Sequence, residues 1–93
     1  MRILLADDDP SLRRVMQLKL QKNGYQVKAV ADGRSALEQL EREPFDLLLS
    51  DIRMPGLDGL ELLTKAQEGR PELKVVLITA HATIVQAVEA VKL

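Results

Sequence analysis

Apolar and polar positions along this chain come in blocks rather than in strict alternation. Four short runs are apolar: Ile3 to Ala6, Tyr25 to Ala31, Phe45 to Leu49, and Val75 to Ile78. The first, third and fourth are nearly continuous, which suits strands covered on both faces, as in a parallel sheet, although a buried helix segment reads similarly. Between the runs lie stretches with helical spacing. Asp9-Pro10 sets an N-cap before a first-turn proline, and Leu12, Val15, Met16 and Leu20 then recur at steps of three or four until Asn23-Gly24 closes the helix. Asp32-Gly33 opens a second helix with Ala36, Leu37 and Leu40 inward, and Glu43-Pro44 ends it. Asp58-Gly59 opens a third, with Leu60, Leu63 and Gln67 marking its turns as far as Gly69-Arg70-Pro71. A fourth starts near Ala82 or Thr83 and carries Ile84, Ala87, Val88 and Val91 on one stripe.

This order, β-α-β-α-β-α-β-α, predicts an α/β domain of parallel strands joined by right-handed crossovers, a single unit over residues 1–93. Charged positions such as Arg13, Lys19, Lys22, Glu38, Arg42 and Lys65 fall opposite the apolar stripes and read as solvated helix faces.

Composition narrows the function classes. With 13 Lys+Arg against 14 Asp+Glu the net charge is −1, so there is no bulk electrostatic drive toward nucleic acid or an anionic membrane surface. No apolar run approaches the ~20 residues of a membrane span, and the N-terminus turns acidic too early for a signal peptide. The chain has no cysteine, which excludes disulfides and thiolate metal sites and fits a cytoplasmic setting. Tyr25 and Phe45 are the only aromatic residues, so the core must be aliphatic.

The carboxylates are unevenly placed. Asp7, Asp8 and Asp9 follow the first strand directly and Asp51 follows the third. In an open parallel sheet the strand C-termini share one edge, and ligands bind there. If the first and third strands are neighbours, Asp7, Asp8 and Asp51 converge, and like charges that close raise one another's pKa unless a cation compensates. An all-oxygen cluster without His or Cys suits a hard ion, Mg2+ before Zn2+. Asp9 reads as the helix cap, and a cap-and-turn role is the plain alternative for Asp7 and Asp8.

After the third strand runs Asp51-Ile52-Arg53-Met54-Pro55-Gly56-Leu57-Asp58-Gly59. With the Asp pair after the first strand and Thr79-Ala80 after the fourth, this D-x-x-M-P-G-x-D-G run resembles the receiver domain of two-component response regulators, over the whole chain. The phrase Thr79 to Thr83 and the helix Gln86 to Val91 look most like the nitrogen-regulation class of transcriptional activators. The resemblance implies a flavodoxin-like doubly wound sheet of strand order 2-1-3-4. It implies Asp51 as phospho-acceptor from a sensor histidine kinase, with Mg2+ held by Asp7, Asp8, Asp51 and the Arg53 backbone carbonyl. Thr79 becomes the switch hydroxyl, and Ala80 leaves it room. His81 reads as an exposed loop residue.

Against the family's pattern, a fifth strand and helix are missing, and with them a lysine that bridges acceptor and phosphoryl group. The expectations that follow are impaired phospho-signalling, a bare fourth strand at the sheet edge, and a sheet face beside the first helix without its lid. Completion by dimerisation, higher oligomerisation or segment exchange is therefore expected. Two other functions compete with the phospho-acceptor: a self-associating scaffold without phosphoryl chemistry, and a phosphatase of the haloacid-dehalogenase type using Asp7 and Asp9. The chain is otherwise not expected to be an enzyme.

Overall fold

Parallel strands separated by helices leave each strand's backbone groups paired across the sheet and each helix's apolar stripe facing it. A computed structural model describes residues 1–79 and 84–92. Its elements run β1 (Arg2–Ala6), α1 (Pro10–Lys22), β2 (Gln26–Val30), α2 (Gly33–Arg42), β3 (Leu47–Asp51), α3 (Gly59–Gly69), β4 (Lys74–Ile78) and α4 (Ile84–Lys92). The strands form one parallel sheet in the order β2-β1-β3-β4. This is the α/β flavodoxin-like arrangement and strand order expected.

β1 and β3 are central, and their segments Ile3 to Ala6 and Leu47 to Leu49 are unbroken apolar runs because both faces are covered there. On one face Ile3, Leu5, Leu47, Leu49 and Ile78 pack with Met16 and Leu20 of α1 and Val91 of α4. On the other, Leu4, Ala6 and Leu48 pack with Ala36 and Leu40 of α2 and Leu62 and Ala66 of α3. The strand residues of the two sets alternate, as side chains in a strand must.

The three aspartates read as N-caps all cap. Asp9 accepts from the Ser11 and Leu12 amides, Asp32 from the Ser35 amide, and Asp58 from the Glu61 amide, while the Glu61 carboxylate accepts from the Asp58 amide. Gly24 and Gly56 take the left-handed backbone that glycine permits, at φ 91° and 76°.

Some expectations are corrected. β3 lies two residues further along than the run Phe45 to Leu49, because its register with β1 pairs Ile3 with Leu47 and Ala6 with Ser50. Phe45 falls before the strand, beneath the Arg2 guanidinium at 4.9 Å. In α1, Val15 is 41% exposed while Met16 and Leu20 are buried. In α3 the inward face is Leu62 and Ala66, whereas Leu60 is 56% exposed and Gln67 is exposed. The sheet face beside α1 is not left open: α4 lies there, with Val91 buried among Ile3, Leu5 and Met16. Ala80, His81, Ala82 and Thr83, and the side chains of Ile84, Ala87 and Val88, lie outside the described residues.

Candidate functional site

Register brings the acidic residues together. β1 and β3 pair Ala6 with Ser50, so the next residue of each, Asp7 and Asp51, reaches the carboxyl edge of the sheet side by side. The Asp7 amide donates to the Val30 carbonyl at 3.2 Å, extending the ladder by one bond beyond β1. The chain then turns so that Asp8 faces solvent and Asp9 caps α1. The outcome is one carboxylate oxygen from each of Asp7, Asp8 and Asp51 within 4.8 Å of one another.

Their surroundings differ. Asp7 is fully buried; its Oδ1 accepts from the Asp9 amide at 2.9 Å, while its Oδ2 is buried without a hydrogen-bond partner. A buried carboxylate oxygen left unpartnered is costly. Burial accordingly pushes the Asp7 carboxyl above its ordinary pKa; the Asp9 amide opposes this, and the charges of Asp51, Asp8 and Asp9 add to it. An orphaned anionic oxygen between two further carboxylates is what a hard divalent cation satisfies, so these residues fit Mg2+. Asp51 is 9% exposed, the last residue of β3, and its Oδ1 accepts from the Arg53 amide at 3.1 Å.

The segment after Asp51 is built to hold that carboxylate still. The Ile52 amide donates to Ile78 at 2.9 Å, and the Gly59 amide returns to the Ile52 carbonyl at 2.8 Å. This brings the start of α3 so close that a Cβ on Gly59 would stand 2.4 Å from the Asp51 carbonyl oxygen and 2.8 Å from the Ile52 Cα. Only glycine allows that approach. Met54 anchors the turn by being buried, while Pro55 and Gly56 stay exposed. A cleft of about 540 Å³ opens beside the carboxylates, lined by Asp8, Ile52, Arg53, Met54, Pro55 and Asp58.

Thr79 stands immediately after Ile78, the residue that pairs with Asp51, and is exposed at the same edge of the sheet. Arg53 is exposed at the cleft, with its amide engaged by Asp51 as described. Asp9 does not join the cluster, since its Oδ1 is occupied by the Ser11 and Leu12 amides at 3.0 and 3.1 Å. Two residues were missed by the reading of the sequence. Gly59 looked like a helix opener, but it is required by the contact with Asp51. Arg13 looked like a solvated face residue, but it is half-buried and its Nη1 donates to the Asp7 carbonyl at 2.7 Å. Its place in the first turn after the Asp9 cap was the available signal.

Comparison with known proteins accords with this geometry. Residues 3–93 match the family model described as the response regulator receiver domain. The receiver protein CpdR of Brucella abortus is 49% identical over 89% of this chain and 69% of its own length. The transcriptional regulatory protein GlrR of Escherichia coli is 41% identical over 95% of this chain but only 20% of its own length, so the chain spans about a fifth of that regulator. The structure of the response regulator TrrA from Thermotoga maritima in complex with Mg2+-BeF superposes with a TM-score of 0.83 at 34% identity, covering 87% of this chain and 70% of that one. TrrA is also known in complex with the histidine kinase ThkA, where it matches with a TM-score of 0.81 at 34% identity over 88% of this chain and 71% of that one.

Proposed function

The chain belongs to the response regulator receiver domain family, and from that premise we propose that Asp51 accepts a phosphoryl group from a sensor histidine kinase in a Mg2+-dependent reaction. The observation that carries this reading is the convergence of Asp7, Asp8 and Asp51, with one buried Asp7 oxygen unpartnered. The family resemblance to TrrA, solved both with Mg2+-BeF and with a histidine kinase, supports the same ion and the same class of partner.

Asp7, Asp8, Asp51 and the Arg53 carbonyl would hold the ion. When bound, Mg2+ supplies positive charge against the oxygens of the transferring phosphoryl group. The Asp51 carboxylate attacks phosphorus in line; an O–P bond forms as the P–N bond to the kinase imidazole breaks, and the imidazole leaves as the neutral ring once it holds its proton. The Arg53 amide holds one Asp51 oxygen, which limits the carboxylate's rotation before attack. Thr79 acts as the switch hydroxyl, donating to a phosphoryl oxygen after transfer. In this reading the domain is a phospho-acceptor and not a turnover enzyme, works in the cytoplasm, and neither binds nucleic acid nor enters a membrane. No helix among the described residues is long and apolar enough to cross one. The Asp-x-Asp phosphatase alternative loses support because Asp9 is occupied as a helix cap.

Intact-mass spectrometry tests the proposal, after incubation with Mg2+ and a small acyl phosphate donor. The wild type should take up one phosphoryl group and Asp51→Asn none. Uptake by Asp51→Asn, or none by folded wild type, overturns it.

A second reading, self-association as a homodimer or higher oligomer, is favoured by the edge of the sheet. Among the described residues β4 pairs with β3 alone, and Val75, Val76 and Leu77 are only half-buried. An apolar edge strand is a template for another strand. Light scattering on the eluting peak should report a dimer or larger species for the 93-residue chain, and a monomer removes this reading.

A further inference from the structure

The Asp8 carboxylate is exposed, and no side chain or backbone donor among the described residues holds it. The direction in which its Cα–Cβ bond leaves the chain is therefore set by the backbone on either side. The peptide plane between Asp7 and Asp8 is held through the Asp7 carbonyl, which accepts from Arg13 Nη1 at 2.7 Å. The plane between Asp8 and Asp9 is held through the Asp9 amide, which donates to Asp7 Oδ1 at 2.9 Å. The plane between Asp9 and Pro10 is held through the Asp9 carbonyl, which accepts from the Arg13 amide at 2.9 Å. Two of the three restraints come from one residue, its backbone at one end of the turn and its guanidinium at the other.

From this geometry we propose that Arg13 is a positioning residue for the cation site: it clamps the Asp7–Asp9 turn so that the Asp8 carboxylate faces the Asp7 and Asp51 oxygens before any ion arrives. A charge-assisted hydrogen bond from a half-buried guanidinium is short and strong enough to do so. Without it the Asp7 carbonyl loses the side-chain partner it has among the described residues, and of the two planes flanking Asp8 only the one held through the Asp9 amide keeps its restraint. An ion must then order the turn as it binds, which weakens binding. The inference rests on the Mg2+ reading above, but it assigns a residue that contacts neither ion nor phosphoryl group.

The experiment is Mg2+ titration of the metal-free chain, followed by calorimetry and by the amide shift of Asp8 in 15N-labelled protein. Arg13→Met keeps the aliphatic stem and its packing but has no donor, with Arg13→Ala as a second variant. Arg13→Lys restores a donor of similar reach. Loss of the donor should weaken Mg2+ binding on the order of tenfold, as removal of an outer partner of a metal ligand does. Arg13→Lys should recover most of that loss, and the Asp8 amide of Arg13→Met should be displaced before Mg2+ is added. A folded Arg13→Met or Arg13→Ala chain that binds Mg2+ within about twofold of wild type overturns the inference while leaving the receiver reading intact. A wild type that binds no Mg2+ overturns both.

Discussion

Asp7 places a carboxylate where water cannot reach it, and the consequences for stability have a definite sign. Burial raises its pKa in the folded chain above the ordinary 3.8. Folding therefore favours the protonated form. That contribution is present in full below about pH 4 and is lost as pH rises through the raised value. In EDTA, Asp7→Asn should melt higher than wild type at neutral pH, and the difference should shrink towards pH 4; thermal melts at a series of pH values check this. Asp32 runs the other way, its pKa lowered chiefly by the Ser35 amide, so its contribution is present at neutral pH and is lost as pH falls through the lowered value. Gly59 is likewise closely confined by its neighbours. The Cβ of Gly59→Ala would meet backbone at 2.4 Å, and overpacking of this kind costs about 1–3 kcal/mol. Each kcal/mol lowers the melting point of a domain this size by about 4–8 °C.

Element boundaries follow local signals in the chain. The three helix starts were legible because Asp before Pro or Gly is a local signal, completed by amides two or three residues on. The helix faces were less so. In α3 the period of the apolar residues allowed Leu60, Leu63 and Gln67 to mark a face, yet Leu62 and Ala66 are the buried pair. The rotation of α3 is decided by the Gly59 contact with the Asp51 carbonyl, which lies outside the helix. The energetic difference is measurable: Leu62→Ala should cost about 2–5 kcal/mol, while Leu60→Ala should stay within about 0.5 kcal/mol. Urea unfolding of the two variants gives both numbers. β3 was misplaced for a related reason. Ser50 and Asp51 are polar and fall beyond the apolar run that ends at Leu49, but both are strand residues, paired with Leu77 and Ile78 of β4.

At the scale of the molecule, parallel winding puts every strand's carboxyl end at one edge, and so gathers charges that repel one another until a cation joins them. On the proposed Mg2+ reading, the metal-free fold gives up stability that the ion returns. Mg2+ at a hundredfold excess over its Kd should stabilise the chain by about 2.7 kcal/mol, because it binds the assembled site and not the unfolded chain. The melting point should rise by about 4–8 °C for each kcal/mol, and EDTA should reverse it. Asp51→Asn, which removes one of the three charges, should show a smaller rise.

What the sequence determined by itself was whatever depends on residues near one another in the chain: the β-α order, the Asp caps, the acidic pair after β1, and the D-x-x-M-P-G-x-D-G run that marks the family. These follow from steric preference, periodicity and local hydrogen bonding, which act over a few residues. Tertiary structure alone decided which faces of α1 and α3 turn inward, that α4 covers the sheet beside α1, that an Asp7 oxygen is buried without a partner, and that Arg13 grips the turn carrying Asp8. Each of those depends on a strand register or on a contact between separate elements. A charged residue on a helix reads the same in sequence whether it meets water or a carbonyl, and only the packed chain distinguishes the two.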